Sequence, residues 1–136
     1  MMKVTIVEYA MILNKIGAKM VNISNRLKLG NNEELQNLQD LKTYYTNLET
    51  ALCEYKQHQK ELSSIVPPNF IVNEHNALVE AFDNFVKATQ MLINSVNLNN
   101  LSVDKEEFQK GLMLQKSAEL SVKTATDTIV EKVTNQ

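Results

Sequence analysis

A chain of 136 residues and 15.5 kDa is long enough for one domain with a real interior, and 43% hydrophobic with 22% charged residues argues against a disordered or membrane-spanning chain. Three Gly and two Pro are too few for the turns of a β-sandwich, a barrel or a wound α/β fold, and a single Cys excludes an internal disulfide or a Cys-built zinc site. The net charge of −2 includes only one arginine, Arg26, which speaks against nucleic-acid partners, whose phosphates favour bidentate arginine contacts.

The first helix is predicted over about residues 3–29. Glu8 interrupts the apolar start and no small-x-small cleavage pattern follows, so the segment reads as mature helix rather than a targeting signal. No run reaches the roughly 18 apolar residues of a membrane span. A cytoplasmic location is therefore expected, or an exported one if the chain is trimmed from a longer precursor. Ile6, Ala10, Leu13, Gly17, Met20, Ser24 and Leu27 form its heptad seam. Val4, Val7, Tyr9, Met11, Ile12, Ile16, Val21 and Ile23 add more apolar surface than one stripe needs. That surplus predicts a partner surface carrying Val7, Met11 and Val21, with a second copy of the chain as the simplest partner.

Gly30 suits the left-handed position past a helix end, and Asn31 with Glu34 has capping-box spacing for a second helix over about 33–64. Its seam is Leu38, Leu41, Tyr45, Leu48, Leu52, Tyr55, Gln59 and Leu62, which turns His58 outward and leaves Cys53 off the seam. Val66 before Pro67-Pro68 leaves helical geometry. A third helix over about 70–97 repeats the pattern with Ile71, His75, Leu78, Phe82, Phe85, Thr89, Leu92 and Val96. The Asn-rich run at 97–102 breaks it. A fourth helix over about 103–133 starts at Asp104 with Glu107, or at Ser102, and carries Phe108, Gly111, Gln115, Ala118, Val122, Ala125 and Ile129.

Narrow heptad seams and short links predict an all-α protein, a single antiparallel up-down-up-down four-helix bundle spanning residues 1–136. Small residues recur at heptad spacing in helix 1 (Ala10, Gly17, Ser24) and helix 4 (Gly111, Ala118, Ala125), which predicts a tight pair between those two helices. Gln59, His75, Tyr45, Thr89 and Gln115 stand at seam positions and are expected to form a structural polar network, because a buried polar group without a partner costs about 1–3 kcal/mol. Reflection about the Pro67 turn places Gln59 level with His75, and Tyr45 level with Thr89 near Gln115. Asp127 falls at the His75 end. A buried neutral His75 should have a lowered pKa, and an adjacent Asp127 would raise it.

The chemistry-bearing patterns are sparse. A di-metal bundle needs Glu three residues before each ligating His, whereas positions 55 and 72 are Tyr and Val. There is no nucleophile elbow and no phosphate loop. The expectation is a non-enzymatic chain without metal or cofactor.

The stretch Val66-Pro67-Pro68-Asn69-Phe70-x4-His75-x2-Leu78-x2-Ala81-Phe82, with Phe108-x2-Gly111-Leu112-x2-Gln115-Lys116 as companion, resembles a segment of small four-helix proteins of Bacillus-like bacteria. The resemblance covers about half the chain and implies a bundle fold with no transferable activity. Some of those proteins resemble envelope lipoproteins, but the lipobox Cys has no counterpart near this start. The functional expectation is a helical interaction module self-associating through helix 1. The alternatives are a carrier of a small apolar ligand beside Phe82 and Phe85, or a helical partner in a bacterial secretion system, for which Tyr45-x3-Glu49 has the export-signal spacing.

Overall fold

The computed structural model describes residues 2–27 and 38–135. Among them α1 (Ile6–Leu27), α2 (Leu38–Ser63), α3 (Val72–Ser95) and α4 (Lys105–Thr134) form the antiparallel four-helix bundle. Gly30 and the Asn31–Glu34 start lie outside the described residues. Two short extended pairs frame the helices. β1 (Met2–Lys3) runs parallel to β2 (Ile65–Val66), and β3 (Val96–Asn97) pairs antiparallel with β4 (Ser102–Val103).

Helix 1 starts later than the periodicity suggests because Met2–Lys3 is taken into the pairing with β2, where Val4 N–H donates to the Val66 carbonyl at 3.2 Å. Thr5 then closes a reciprocal capping box. Glu8 N–H donates to Thr5 Oγ1 at 3.2 Å and Thr5 N–H donates to Glu8 Oε1 at 3.0 Å. At the other hairpin Ser102 is used in β4, so Asp104 caps α4, its Oδ1 accepting from Glu107 N–H at 3.2 Å. Leu101, with φ of 53°, makes the left-handed step between β3 and β4.

Helix 3 is the hub. Its predicted seam is buried from Ile71 through Leu92, and a second heptad row, Glu74, Ala81, Ala88 and Ser95, is buried beside it. The most extensive helix contact in the bundle joins α3 to α4. A Cβ on Gly111 would stand 2.8 Å from Leu92 Cδ2 and 3.2 Å from the Ala88 carbonyl. The small residues of α4 therefore make a tight pair, but with α3 rather than α1. Small residues on both α3 and α4 permit the approach, and the hairpin through β3 and β4 makes these helices neighbours. Ala10, Gly17 and Ser24 are exposed, and a Cβ on Gly17 would meet nothing within 4 Å.

The inner faces of α1 and α2 are also rotated from the predicted ones. Helix 1 buries Tyr9, Ile16, Ile23 and Leu27, with Leu13 and Met20 packed against the core. This face removes more apolar surface from water than one built on Ala10, Gly17 and Ser24. Helix 2 buries Leu41, Tyr44, Leu48, Ala51, Tyr55, His58 and Leu62, leaving Tyr45, Leu52 and Gln59 half-buried. A helix flanked on both sides buries a stripe wider than a two-position seam. Tyr55 stacks on Phe85 at 4.9 Å between ring centroids, and His58 meets Phe82 edge-on at 6.0 Å. These rings cover the side of Phe82 and Phe85 turned toward α2.

Candidate functional site around helix 1

Helix 1 presents three distinct surfaces. Its inner surface enters a polar junction at one end of the bundle. Tyr9 and His75 are both buried, with Tyr9 Oη 2.9 Å from His75 Nδ1. The Leu62 carbonyl also faces the imidazole, so the ring has a hydrogen-bond partner on α1 and another on α2. Burial lowers the His75 pKa, opposed by the hydrogen bond to Leu62. Burial, aided by the nearby Glu74 carboxylate, pushes the Tyr9 phenol up. Beside them Lys132 Nζ pairs with the buried Glu74 carboxylate and donates to the Phe70 carbonyl at 3.1 Å. Side chains or carbonyls from all four helices thus meet at this end.

His75 therefore sits level with Leu62, not Gln59. Gln59 Nε2 donates instead to Asp83 Oδ1 at 3.3 Å, about two helical turns further along α3. The reflection failed because residues 65–71 are spent on β2 and a single 3-10 turn, Asn69–Ile71, before α3 begins. Thr89 is satisfied by its own helix, Oγ1–H donating to the Phe85 carbonyl at 2.7 Å. Gln115 is buried on α4 and Tyr45 is half-buried. Among the described residues no hydrogen bond joins any two of the five predicted network residues. Tyr44 takes the buried position expected of Tyr45 and meets Phe108 edge-on at 6.2 Å. Asp127 is exposed.

The outward surface of helix 1 carries Val7, Met11 and Val21, which are 66%, 66% and 59% exposed. With exposed Asn14 and Ala18 they fall on one heptad stripe at positions 7, 11, 14, 18 and 21. Ala10 and Gly17 lie alongside, so the stripe is low as well as apolar.

The third surface faces α2 across a cleft of about 530 Å³ lined by Lys19, Asn22, Arg26, Glu54, Gln57 and His58 among others. Arg26 Nη2 donates to Glu54 Oε2 at 2.8 Å across it. His58 was expected to face solvent. It is 2% exposed instead, and neither ring nitrogen has a hydrogen-bond partner. Burial, and secondarily Lys19, lower its pKa, while Glu61 and Glu54 pull the other way. The sequence signal for this residue was the row Tyr44, Ala51, His58, which has the same heptad spacing as the predicted seam.

Cys53 is exposed, and the described residues hold no group of three or more His, Cys, Asp or Glu placed to bind a metal ion. Among the described residues no helix is long and apolar enough to cross a membrane. Fold and site together define an all-α four-helix bundle with an uncovered apolar flank on its first helix. Comparison with family models, curated proteins and solved structures gives no match.

Proposed function

We propose that the chain is a non-enzymatic helical interaction module that associates with a second copy of itself through the outward face of helix 1. The observation that carries this reading is the stripe of Val7, Met11 and Val21, each more than half exposed on one face. Isolated surface hydrophobes are ordinary, whereas a row at heptad spacing is the pattern a partner helix fits. The row is also self-complementary. A twofold axis at Asn14 that pairs two copies of α1 antiparallel brings Val7 of one copy level with Val21 of the other, and Met11 level with Gly17 and Ala18. A closed dimer requires that correspondence. Three apolar anchors per copy make a contact smaller than the roughly 800 Å² per partner of a standard interface, so the association is weak.

Sedimentation equilibrium over a wide concentration range tests the reading. The wild type should show a dissociating dimer, and Val7→Lys with Val21→Lys should give a monomer of unchanged helical circular dichroism. A wild type that stays monomeric at its highest soluble concentration overturns self-association through this face.

A further inference from the structure

We propose that the cleft between α1 and α2 binds a small oxyanion, a carboxylate or phosphate group, held by Lys19, Arg26 and the ring of His58. This goes beyond self-association, because the cleft lies on the flank of helix 1 turned toward α2. Its starting point is His58. The other buried histidine, His75, has Tyr9 as partner, and the buried hydroxyls of Thr89 and Ser95 donate to the carbonyls of Phe85 and Leu92. His58 is as deeply buried, and both its nitrogens stand without a partner. An interior polar group in that state needs a compensating ligand or carries an unrecovered desolvation cost.

The ring borders a cleft whose polar groups select the ligand's charge. Lys19 and Arg26 come from α1, and Glu54 from α2 is already bound to Arg26. The guanidinium has five N–H groups in a fork suited to carboxylate or phosphate oxygens. Asn22 and Gln57 add neutral amide donors at the rim. A cation entering this cleft would meet two positive charges and one engaged carboxylate. An oxyanion would meet the Lys19 ammonium, the guanidinium N–H groups that Glu54 leaves open, the amides and an imidazole able to take up a proton and donate. Lys19 and Gln57 are exposed long side chains that line the cleft together with the ring. The groups acting on the ring charge are Lys19 from α1 and Glu54 and Glu61 from α2, with the Phe82 ring packed against it from α3. An anion between Lys19 and His58 offsets the repulsion from Lys19 and favours the imidazolium, so binding takes up a proton and tightens as pH falls.

The experiment follows the His58 ring by NMR while inorganic phosphate, acetate or chloride is added to the full chain at equal ionic strength. The expected result is a saturable shift with phosphate or acetate and not with chloride, with the ring pKa raised by about one unit at saturation, equivalent to about tenfold tighter binding to the protonated protein. The better of the two oxyanions identifies the group recognised. Lys19→Ala, an exposed substitution that leaves the fold intact, should weaken binding about tenfold. A His58 ring that responds to none of the anions, or equally to all three, overturns the proposal. So does a Lys19→Ala protein that binds as tightly as the wild type.

Discussion

Gly111 and Gly17 both lie within helices, yet a methyl group added to each has opposite consequences. At Gly111 the new Cβ would press on Leu92 and on the Ala88 carbonyl, and neither yields easily, since Leu92 is buried and the carbonyl belongs to helix backbone. Overpacking of this kind costs about 1–3 kcal/mol, against about 1 kcal/mol gained when Ala replaces Gly inside a helix. Gly111→Ala should therefore lower stability, and Gly111→Leu should lower it further by forcing α3 and α4 apart. At Gly17 the added methyl meets nothing, so Gly17→Ala should raise stability by about 0.5–1 kcal/mol. Urea midpoints of the three variants decide the matter. Gains at both glycines would mean that α3 and α4 do not approach as closely as described.

At the scale of elements, the start of helix 1 depends on the Thr5–Glu8 box. Thr5→Ala removes the acceptor for Glu8 N–H and should cost about 1 kcal/mol, while Thr5→Ser should recover most of it. Amide exchange at Glu8 should quicken in the alanine variant alone, and equal exchange in both variants would show that the β1–β2 pairing, not the cap, fixes this end. The spacing Thr5-x-x-Glu8 was present in the sequence, but an early start to the apolar periodicity concealed it. Helix 3 was legible because its large apolar residues fall on a single seam. Helix 2 was only half legible. Leu41, Leu48, Tyr55 and Leu62 serve two overlapping seams equally, and which side row turns inward, Tyr45–Leu52–Gln59 or Tyr44–Ala51–His58, depends on where the neighbouring helices lie. That choice decides the burial of His58, so the α1–α2 cleft could not be read from the chain alone. The small row on α4 announced a close contact. Its partner row, Ala81, Ala88 and Ser95, stands at the same heptad spacing in helix 3, but Ala10, Gly17 and Ser24 repeat that spacing in helix 1, so small size alone does not choose between them.

For the whole molecule, His58 and His75 set the response to acid together. Both have lowered pKa values with burial as the main cause, so the unfolded chain takes up protons near its ordinary value of about 6.5 while the folded chain resists. Their contribution to stability is complete above that pH and is lost as pH falls toward the folded values, at up to about 1.4 kcal/mol per pH unit for each histidine. The carboxylates of Glu8 and Asp83 are lowered by hydrogen bonds, and their loss comes only further down, in the carboxylate range. Denaturation midpoints measured between about pH 8 and pH 5 should therefore decline, and His75→Gln or His58→Leu should each remove about half of the slope. His58→Leu carries a second signature, since it relieves two unpartnered nitrogens and should hold or raise stability at neutral pH. His75→Gln removes the ring partner of the buried Tyr9 hydroxyl and should lower it. Phosphate or acetate bound in the cleft would favour the protonated His58 ring in the folded chain. The wild-type slope should then approach that of His58→Leu, while the His58→Leu protein itself gains nothing from the anion. A wild-type slope that saturating oxyanion leaves unchanged, measured beside an intact His75 contribution, would separate the two histidines and remove the cleft from the pH response.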